Sequence, residues 1–223
     1  MEAIIYGGNR LIVHLCLLFN MFLRATYLPI VFMQSVIIPL VKMKSGDLSD
    51  VNNYRAIAIS TSMSKLFECT IAEPVISFAN CEKYQFGFKA RHSTSICTNV
   101  LKKTVEYYTG RGSHVFCCFI DITKAFDTVN YWTLFNRLLG DNIDASIVRI
   151  LAYFYCNQMM CVRWLDSTSS YFFVGNGTRQ GGVLSPSLFC RYVRDLLGVL
   201  LSSGVCCNGR VMFVNVLARY SCK

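Results

Sequence analysis

Residues 119–129 read FIDITKAFDTV and residues 175–189 read GNGTRQGGVLSPSLF, and these two segments decide how the chain is interpreted. The first segment places Asp121 at the end of an apolar run, with Asp127 six residues later. A carboxylate at a strand end is most often a helix cap or a surface group, so this spacing alone identifies no site. The second segment is rich in glycine, which lets backbone approach a ligand closely, and it leads into a helix whose N-terminus favours anions. The combination favours a ligand site.

Hydrophobic runs and turn residues predict several short strands. Residues 115–122 form a nearly continuous apolar run that fits a buried strand. Residues 36–41 and 54–59 are predicted to pair as a hairpin with basic residues near its tip. Further strands are predicted over residues 159–165 and 171–174, and Asn208-Gly209 has the signature of a type I′ hairpin turn.

Capping residues mark where the predicted helices begin and end. A helix over residues 62–73 is predicted to end at Pro74. Ser93 or Ser95 can cap the next helix. Ser185 is predicted to cap the last one, because Pro186 then falls at the first helical position, where its missing N–H costs nothing. Two more helices are predicted over residues 130–139 and 144–155.

Composition excludes a disordered tail and a disulfide scaffold. The chain has 223 residues, of which 53% are hydrophobic and 16% charged, which is enough apolar surface for a core. Its net charge of +9 suits a polyanionic partner such as nucleic acid. The chain is too long and too apolar to need disulfide bonds, so we expect its 12 cysteines to be reduced thiols. Because they contain no C-x-x-C spacing, we expect no structural zinc site.

The N-terminal apolar run, residues 11–23, is about 13 residues long, whereas a bilayer-spanning helix needs ~20. It also contains His14 and Asn20. We interpret it as a buried helix, with a membrane or signal role as the alternative.

The two quoted segments resemble motifs A and B of reverse transcriptases encoded by non-LTR (LINE-type) retrotransposons. Residues 45–68, 85–94 and 153–164 resemble further elements of this family in the same order, so the resemblance covers about residues 1–218. It implies an α+β fold with the fingers and a partial palm of a right-hand polymerase, the palm being an antiparallel sheet backed by helices. The fingers-like region with the N-terminal helix would span residues 1–114, the partial palm 115–218 and a divergent tail 219–223.

The resemblance also implies metal-dependent nucleotidyl transfer. Asp121 matches the motif A ligand of two Mg²⁺ ions, with the Ile122 carbonyl beside it. Two metals suit this chemistry because the attacking and leaving oxygens both carry charge. The implied partners are an RNA template, a DNA primer and a deoxynucleoside triphosphate, with no membrane partner and an intracellular location in cytoplasm or nucleus.

Four more residues match positions that meet the nucleotide in this family. Phe126 matches the bulky residue that excludes a 2′-hydroxyl, although a core aromatic is the alternative. Arg55 matches a residue that meets the triphosphate, and a solvated strand charge is its alternative. Gln180 and Gly181 match positions that contact nucleotide and template. The other basic residues of this region are expected on a solvated face, with only electrostatic contact to a nucleic-acid backbone: Lys42, Lys44, Arg91, Lys102 and Lys103.

The pattern of the family breaks after Ala218. The resemblance implies Tyr-Ala-Asp-Asp there, which supplies two more metal ligands, but the chain reads Arg219-Tyr220-Ser221-Cys222-Lys223. We therefore expect a catalytically inactive fragment of an RNA-directed DNA polymerase domain. The alternatives are a nucleic-acid-binding remnant without chemistry, and a membrane-associated protein built on the N-terminal run.

We predict that the 223-residue chain makes no DNA on a primed RNA template with Mg²⁺ and deoxynucleotides. A lone Asp121 cannot hold two divalent cations, so Asp121→Ala leaves the result of this primer-extension assay unchanged. Extension by the unmodified chain that Asp121→Ala abolishes would contradict the prediction.

Overall fold

The computed structural model describes residues 2–79, 87–88, 91–117, 119, 122 and 124–202. These residues contain five strands, nine α-helices and one short 3-10 helix, Val51–Asn53. The strands are β1 Gln34–Val41, β2 Tyr54–Ser60, β3 Met159–Trp164, β4 Ser167–Thr168 and β5 Phe172–Phe173. The helices are α1 Glu2–Ile5, α2 Gly8–Ala25, α3 Ile30–Met33, α4 Ser62–Thr70, α5 Ala72–Ala79, α6 Thr94–Thr109, α7 Tyr131–Gly140, α8 Ala145–Cys156 and α9 Ser185–Ser202. The α+β class is as predicted.

The sheet has the strand order β2-β1-β3-β4, and β5 also pairs with β3. β1 and β2 form the predicted antiparallel hairpin, with Ser35 opposite Ser60 and Val41 opposite Tyr54. β3, however, runs parallel to β1, so the described sheet is mixed, whereas the pairs described within residues 115–218, β3–β4 and β3–β5, are antiparallel. A parallel pair needs a long crossover, and here helices α4 to α8 lie between the two strands in sequence.

Side-chain caps confirm most of the predicted helix starts. The Ser93 hydroxyl accepts from the Ile96 N–H at 3.2 Å, which selects Ser93 over Ser95 as the cap of α6. Asn130 and Asp144 cap α7 and α8 in the same way. Each of these bonds satisfies an N–H that has no partner within its helix.

The helix predicted over residues 62–73 is instead two helices. α4 ends at Thr70, and Pro74 lies in the first turn of α5. Proline is tolerated there because first-turn N–H groups need no intrahelical acceptor. The prediction that Pro74 stops a helix was therefore wrong.

The core lies among the helices and is rich in aromatic rings. Phe67 of α4 meets Phe19 and Phe22 of α2 at ring-centroid distances of 5.3 and 6.0 Å. Only these two α2 residues are fully buried, and Leu17 is 65% exposed, so the prediction of a buried helix holds for one stripe alone. Among the described residues, no helix has the length and apolar character needed to cross a bilayer.

The apolar run at residues 115–122 does not form a buried strand at the positions that are described. Phe116 is 91% exposed and Phe119 is 83% exposed. An extended segment needs a neighbouring strand for its N–H and C=O groups, and none of the five described strands pairs with residues 115–117, 119 or 122. Asp121 and the predicted turn at Asn208-Gly209 lie outside the described residues.

Alkaline pH should weaken the fold through Tyr131. Its hydroxyl is buried, accepts from the Gln158 amide, and has its pKa raised to about 12, first of all by burial. The unfolded phenol ionises near 10.0, so this stabilisation is complete below pH 10 and is lost between pH 10 and 12. Urea unfolding should show that the stability lost across this range is about 2–3 kcal/mol smaller in Tyr131→Phe, because phenylalanine cannot ionise while the buried Tyr155 is unchanged. An equal loss in the Tyr131→Phe variant would contradict the assignment.

Candidate functional site

The glycine-rich loop of residues 175–184, here called the motif B loop, is bonded on one side to the end of the first quoted segment. The Gly177 N–H donates to the Val129 carbonyl at 2.9 Å, and the Thr178 N–H donates to the Phe126 carbonyl at 2.7 Å. Gly177 has φ +87°, and a Cβ there would lie 2.8 Å from the Cα of Asp127. Only glycine allows the two segments to approach this closely.

On its other side the motif B loop lies along the free edge of β2. The Ala58 N–H donates to the Gln180 carbonyl at 2.7 Å. Gly181 has φ +108°, and a Cβ there would lie 2.7 Å from the Ala58 carbonyl oxygen. The loop therefore satisfies a strand edge that would otherwise expose unpaired backbone groups.

A buried ion pair fixes the centre of the loop. Arg179 Nη2 lies 3.0 Å from Glu68 Oε1, and the two side chains are 1% and 2% exposed. Arg179 Nη1 also donates to the Ser35 hydroxyl at 2.9 Å, and its guanidinium lies 4.0 Å from the centre of the Phe154 ring. These contacts join β1, α4 and α8 through one arginine, as expected of a planar group with five donors.

The second oxygen of Glu68 occupies the start of α9. Oε2 accepts from the Val183 N–H at 2.7 Å and from the Leu184 N–H at 3.3 Å. Ser185, the predicted cap, is the first residue of α9, and its buried hydroxyl makes no capping bond within the described structure. The helix N-terminus that favours an anion thus already holds one, and it belongs to the protein itself.

Glu68 was not among the predicted site residues. It lies on the buried face of α4 together with Ser64 and Phe67, at the spacing of a helix stripe. A carboxylate at such a position needs a buried partner, and this is the signal in the sequence that could have identified it. Nearby, burial and then the charge of Glu68 raise the pKa of Tyr155, which stays neutral beside the pair.

Phe126 is a core aromatic. Its ring stacks on Phe189 of α9 at a centroid distance of 4.9 Å and meets Phe88 edge-on at 6.1 Å. Its side chain is only 8% exposed, which fits the alternative of a core aromatic residue. Exclusion of a 2′-hydroxyl by Phe126 stays a prediction.

The polar residues predicted to meet a nucleotide are more open. Gln180 Nε2 lies 3.4 Å from Asp127 Oδ1, so the two quoted segments also meet through side chains. Arg55 is exposed on β2, on the same strand face as Ile57, whose Cγ2 would be 3.6 Å from a Cβ at Gly181. The structure therefore brings Phe126, Gln180 and Gly181 together and places Arg55 on the neighbouring strand.

The predicted metal site is not tested by these contacts. Ile122 is described and is 39% exposed, whereas Asp121 lies outside the described residues. Within the described ranges, no group of three His, Cys, Asp or Glu side chains is placed to hold a metal ion. The seven cysteines in those ranges are free thiols.

Comparison with known proteins identifies related sequences. The family described as Reverse transcriptase (RNA-dependent DNA polymerase) matches residues 42–209. The chain is 30% identical over 196 residues to the probable RNA-directed DNA polymerase from transposon X-element of Drosophila melanogaster, and 27% identical over 196 residues to the RNA-directed DNA polymerase from mobile element jockey of Drosophila funebris. Each alignment covers 84% of this chain and 21% of the relative.

A more distant relative points to the same class. The chain is 24% identical over 172 residues to a retrovirus-related Pol polyprotein from the type-1 retrotransposable element R2 of Popillia japonica, covering 77% of this chain and 24% of that protein. The chain thus spans about a fifth of the length of the curated relatives it matches first.

Substitution of Gly181 should be much more costly than substitution of another glycine that has a positive φ but open surroundings. Gly112 has φ +73° with nothing within 4 Å of an added Cβ, so Gly112→Ala should cost only the ~1–2 kcal/mol of a left-handed residue. Gly181→Ala adds a clash with the Ala58 carbonyl and should cost about 3 kcal/mol or more. Urea unfolding of both variants checks this, and equal losses would show that the close approach to β2 is absent in solution.

Proposed function

This chain belongs to the reverse transcriptase (RNA-dependent DNA polymerase) family, and on that premise we propose which part of a polymerase it forms. It is a reverse transcriptase domain segment of the non-LTR retrotransposon type. Residues 1–114 form the fingers-like region with the N-terminal helix, residues 115–218 form part of the palm, and residues 219–223 are a divergent tail. The activity of the whole protein is RNA-directed DNA synthesis.

The observation that carries this proposal is the double attachment of the motif B loop. Its Thr178 N–H is bonded to the Phe126 carbonyl, and its Gln180 carbonyl is bonded to the Ala58 N–H. One loop therefore joins the segment that resembles motif A to the strand that bears Arg55. A nucleotide-binding site built from three separate segments requires this kind of junction, because binding groups must be held in place before the substrate arrives.

Individual residues then have distinct roles. Gln180 and Gly181 meet the template and the incoming nucleotide, and Asp127 orients the Gln180 amide from 3.4 Å away. Arg55 meets the triphosphate, since a planar guanidinium matches phosphate oxygens in a bidentate manner. Phe126 supports the sugar side of the site from the core.

Magnesium is the cofactor of this family, and Asp121 and the Ile122 carbonyl are its proposed contacts here. The described residues do not complete a metal site on their own, because they contain no cluster of three candidate ligands. When bound, Mg²⁺ would stabilise charge on the reacting phosphate oxygens. The described residues bind and orient the template and the nucleotide.

A second function, nucleic-acid binding without catalysis, is favoured by a specific observation. The described residues hold the motif B loop through protein contacts, among them the Glu68–Arg179 pair. The chain also has a net charge of +9. Binding of a primer–template can therefore persist where chemistry is absent.

Binding is tested with a labelled primer–template and fluorescence anisotropy. We predict that affinity falls steeply between about 50 and 200 mM salt, because the release of counterions on binding is less favourable at high salt. Gln180→Ala should weaken binding by about 5- to 10-fold at constant salt, the effect of one lost amide hydrogen bond.

The matched control is Asn20→Ala, which removes an exposed amide from α2, outside the site. It should leave the affinity unchanged. Affinity that is flat with salt would contradict nucleic-acid binding, and equal affinities of the Gln180→Ala variant and the unmodified chain would contradict the assignment of Gln180.

A further inference from the structure

We propose that Glu68 and Arg179 are positioning residues, which hold Gln180 and Gly181 in the geometry that meets template and nucleotide. This inference rests on the proposed function and deepens it. Neither side chain touches the substrate in this proposal, because both are almost completely buried.

A single carboxylate holds both ends of the turn formed by residues 180–182 of the motif B loop. Glu68 Oε1 pairs with the side chain of Arg179, and Oε2 accepts from the backbone of Val183 and Leu184. Only residues 180–182 lie between these attachment points. They form a tight turn, since the Gly182 N–H donates to the Arg179 carbonyl at 3.0 Å.

The turn itself has few other restraints. Gly181 and Gly182 have no side chains with which to anchor it, and the Gln180 amide makes one long contact to Asp127 at 3.4 Å. Backbone conformation at glycine is otherwise broadly permitted. The orientation of Gln180 is therefore set by the two ends that Glu68 holds, together with the Ala58 contact.

The two residues that hold the turn, Ala58 and Glu68, belong to one continuous strand–helix unit of the chain. Ala58 lies on β2 and Glu68 on α4, and a single residue, Thr61, separates this strand from this helix. The Thr61 hydroxyl accepts from the Ser64 N–H at 3.2 Å and so fixes the turn between them. Any displacement of Glu68 is thus expected to move the loop relative to the strand that bears Arg55.

The chain contains a matched control for this buried pair. Arg191 of α9 and Asp141, which follows α7, form another ion pair at 2.5 Å, with side chains 1% and 5% exposed. Asp141 also lies 2.5 Å from Arg194, so Asp141→Asn, like Glu68→Gln, removes a buried negative charge that faces arginine and should destabilise the fold. Only the Glu68 pair contacts the motif B loop among the described residues, so only its loss should also change the affinity of the folded protein.

The test is a double-mutant cycle on primer–template affinity, measured on the 223-residue chain. Urea unfolding of each variant first shows that it is folded under the conditions of the binding assay. Glu68→Gln should weaken binding by about the same factor as Gln180→Ala, roughly 5- to 10-fold. The double variant should bind no worse than Gln180→Ala alone, because both changes remove the same contact. Asp141→Asn should lose stability and keep its affinity.

An NMR measurement separates positioning from a merely structural role. The Gln180 side-chain amide signal, identified by its loss in Gln180→Ala, should shift in Glu68→Gln and stay in place in Asp141→Asn. If Glu68→Gln does not fold, the double replacement Glu68→Gln with Arg179→Met removes both charges and tests the same point.

The outcomes distinguish this inference from the function on which it rests. If Gln180→Ala binds as the unmodified chain does, the proposed role of Gln180 fails and the positioning role fails with it. If Gln180→Ala weakens binding but the loss of Glu68 is neutral, or adds fully to it, the positioning role alone is overturned. A full overlap of the two effects supports both.

Discussion

The buried ion pair between Glu68 and Arg179 is the interaction on which the arrangement of the site depends. Burying two charges is costly, and the cost is offset only when both partners also find hydrogen bonds. Here Arg179 reaches Ser35 and the Phe154 ring, and the carboxylate takes two backbone N–H groups. The same contacts that stabilise the charges connect β1, α4, α8 and the start of α9. The contacts that stabilise the ion pair therefore also determine the conformation of the motif B loop.

The local parts of the fold follow from the sequence because their causes are local. Caps at Ser93, Asn130 and Asp144 are single residues that satisfy N–H groups two or three positions away. The β1–β2 hairpin joins neighbouring runs of apolar residues. By contrast, the parallel pairing of β1 with β3 joins residues more than a hundred positions apart, and no local pattern of either strand specifies its partner.

The site was predictable only in part, for the same reason. Gln180 and Gly181 stand out in a glycine-rich segment, and family resemblance assigns Arg55 and Phe126. Glu68 was not predicted because a lone glutamate in an amphipathic helix usually faces solvent. Only its ion pair with Arg179, more than a hundred residues later in the chain, shows that it is buried. The prediction that Ser185 caps α9 was wrong, because the sequence of α9 does not show that the Glu68 side chain from α4 already occupies its N-terminus.

The parallel β1–β3 pair has a consequence for how the protein is made. Contacts between distant residues raise the contact order of a domain and slow its folding. During synthesis the β1–β2 hairpin can form early, whereas the middle of the sheet stays open until β3, which begins at Met159, has left the ribosome. For that interval the β1 edge is an unpaired strand, able to join another nascent chain, and a chaperone that shields it would be needed most at this stage of translation.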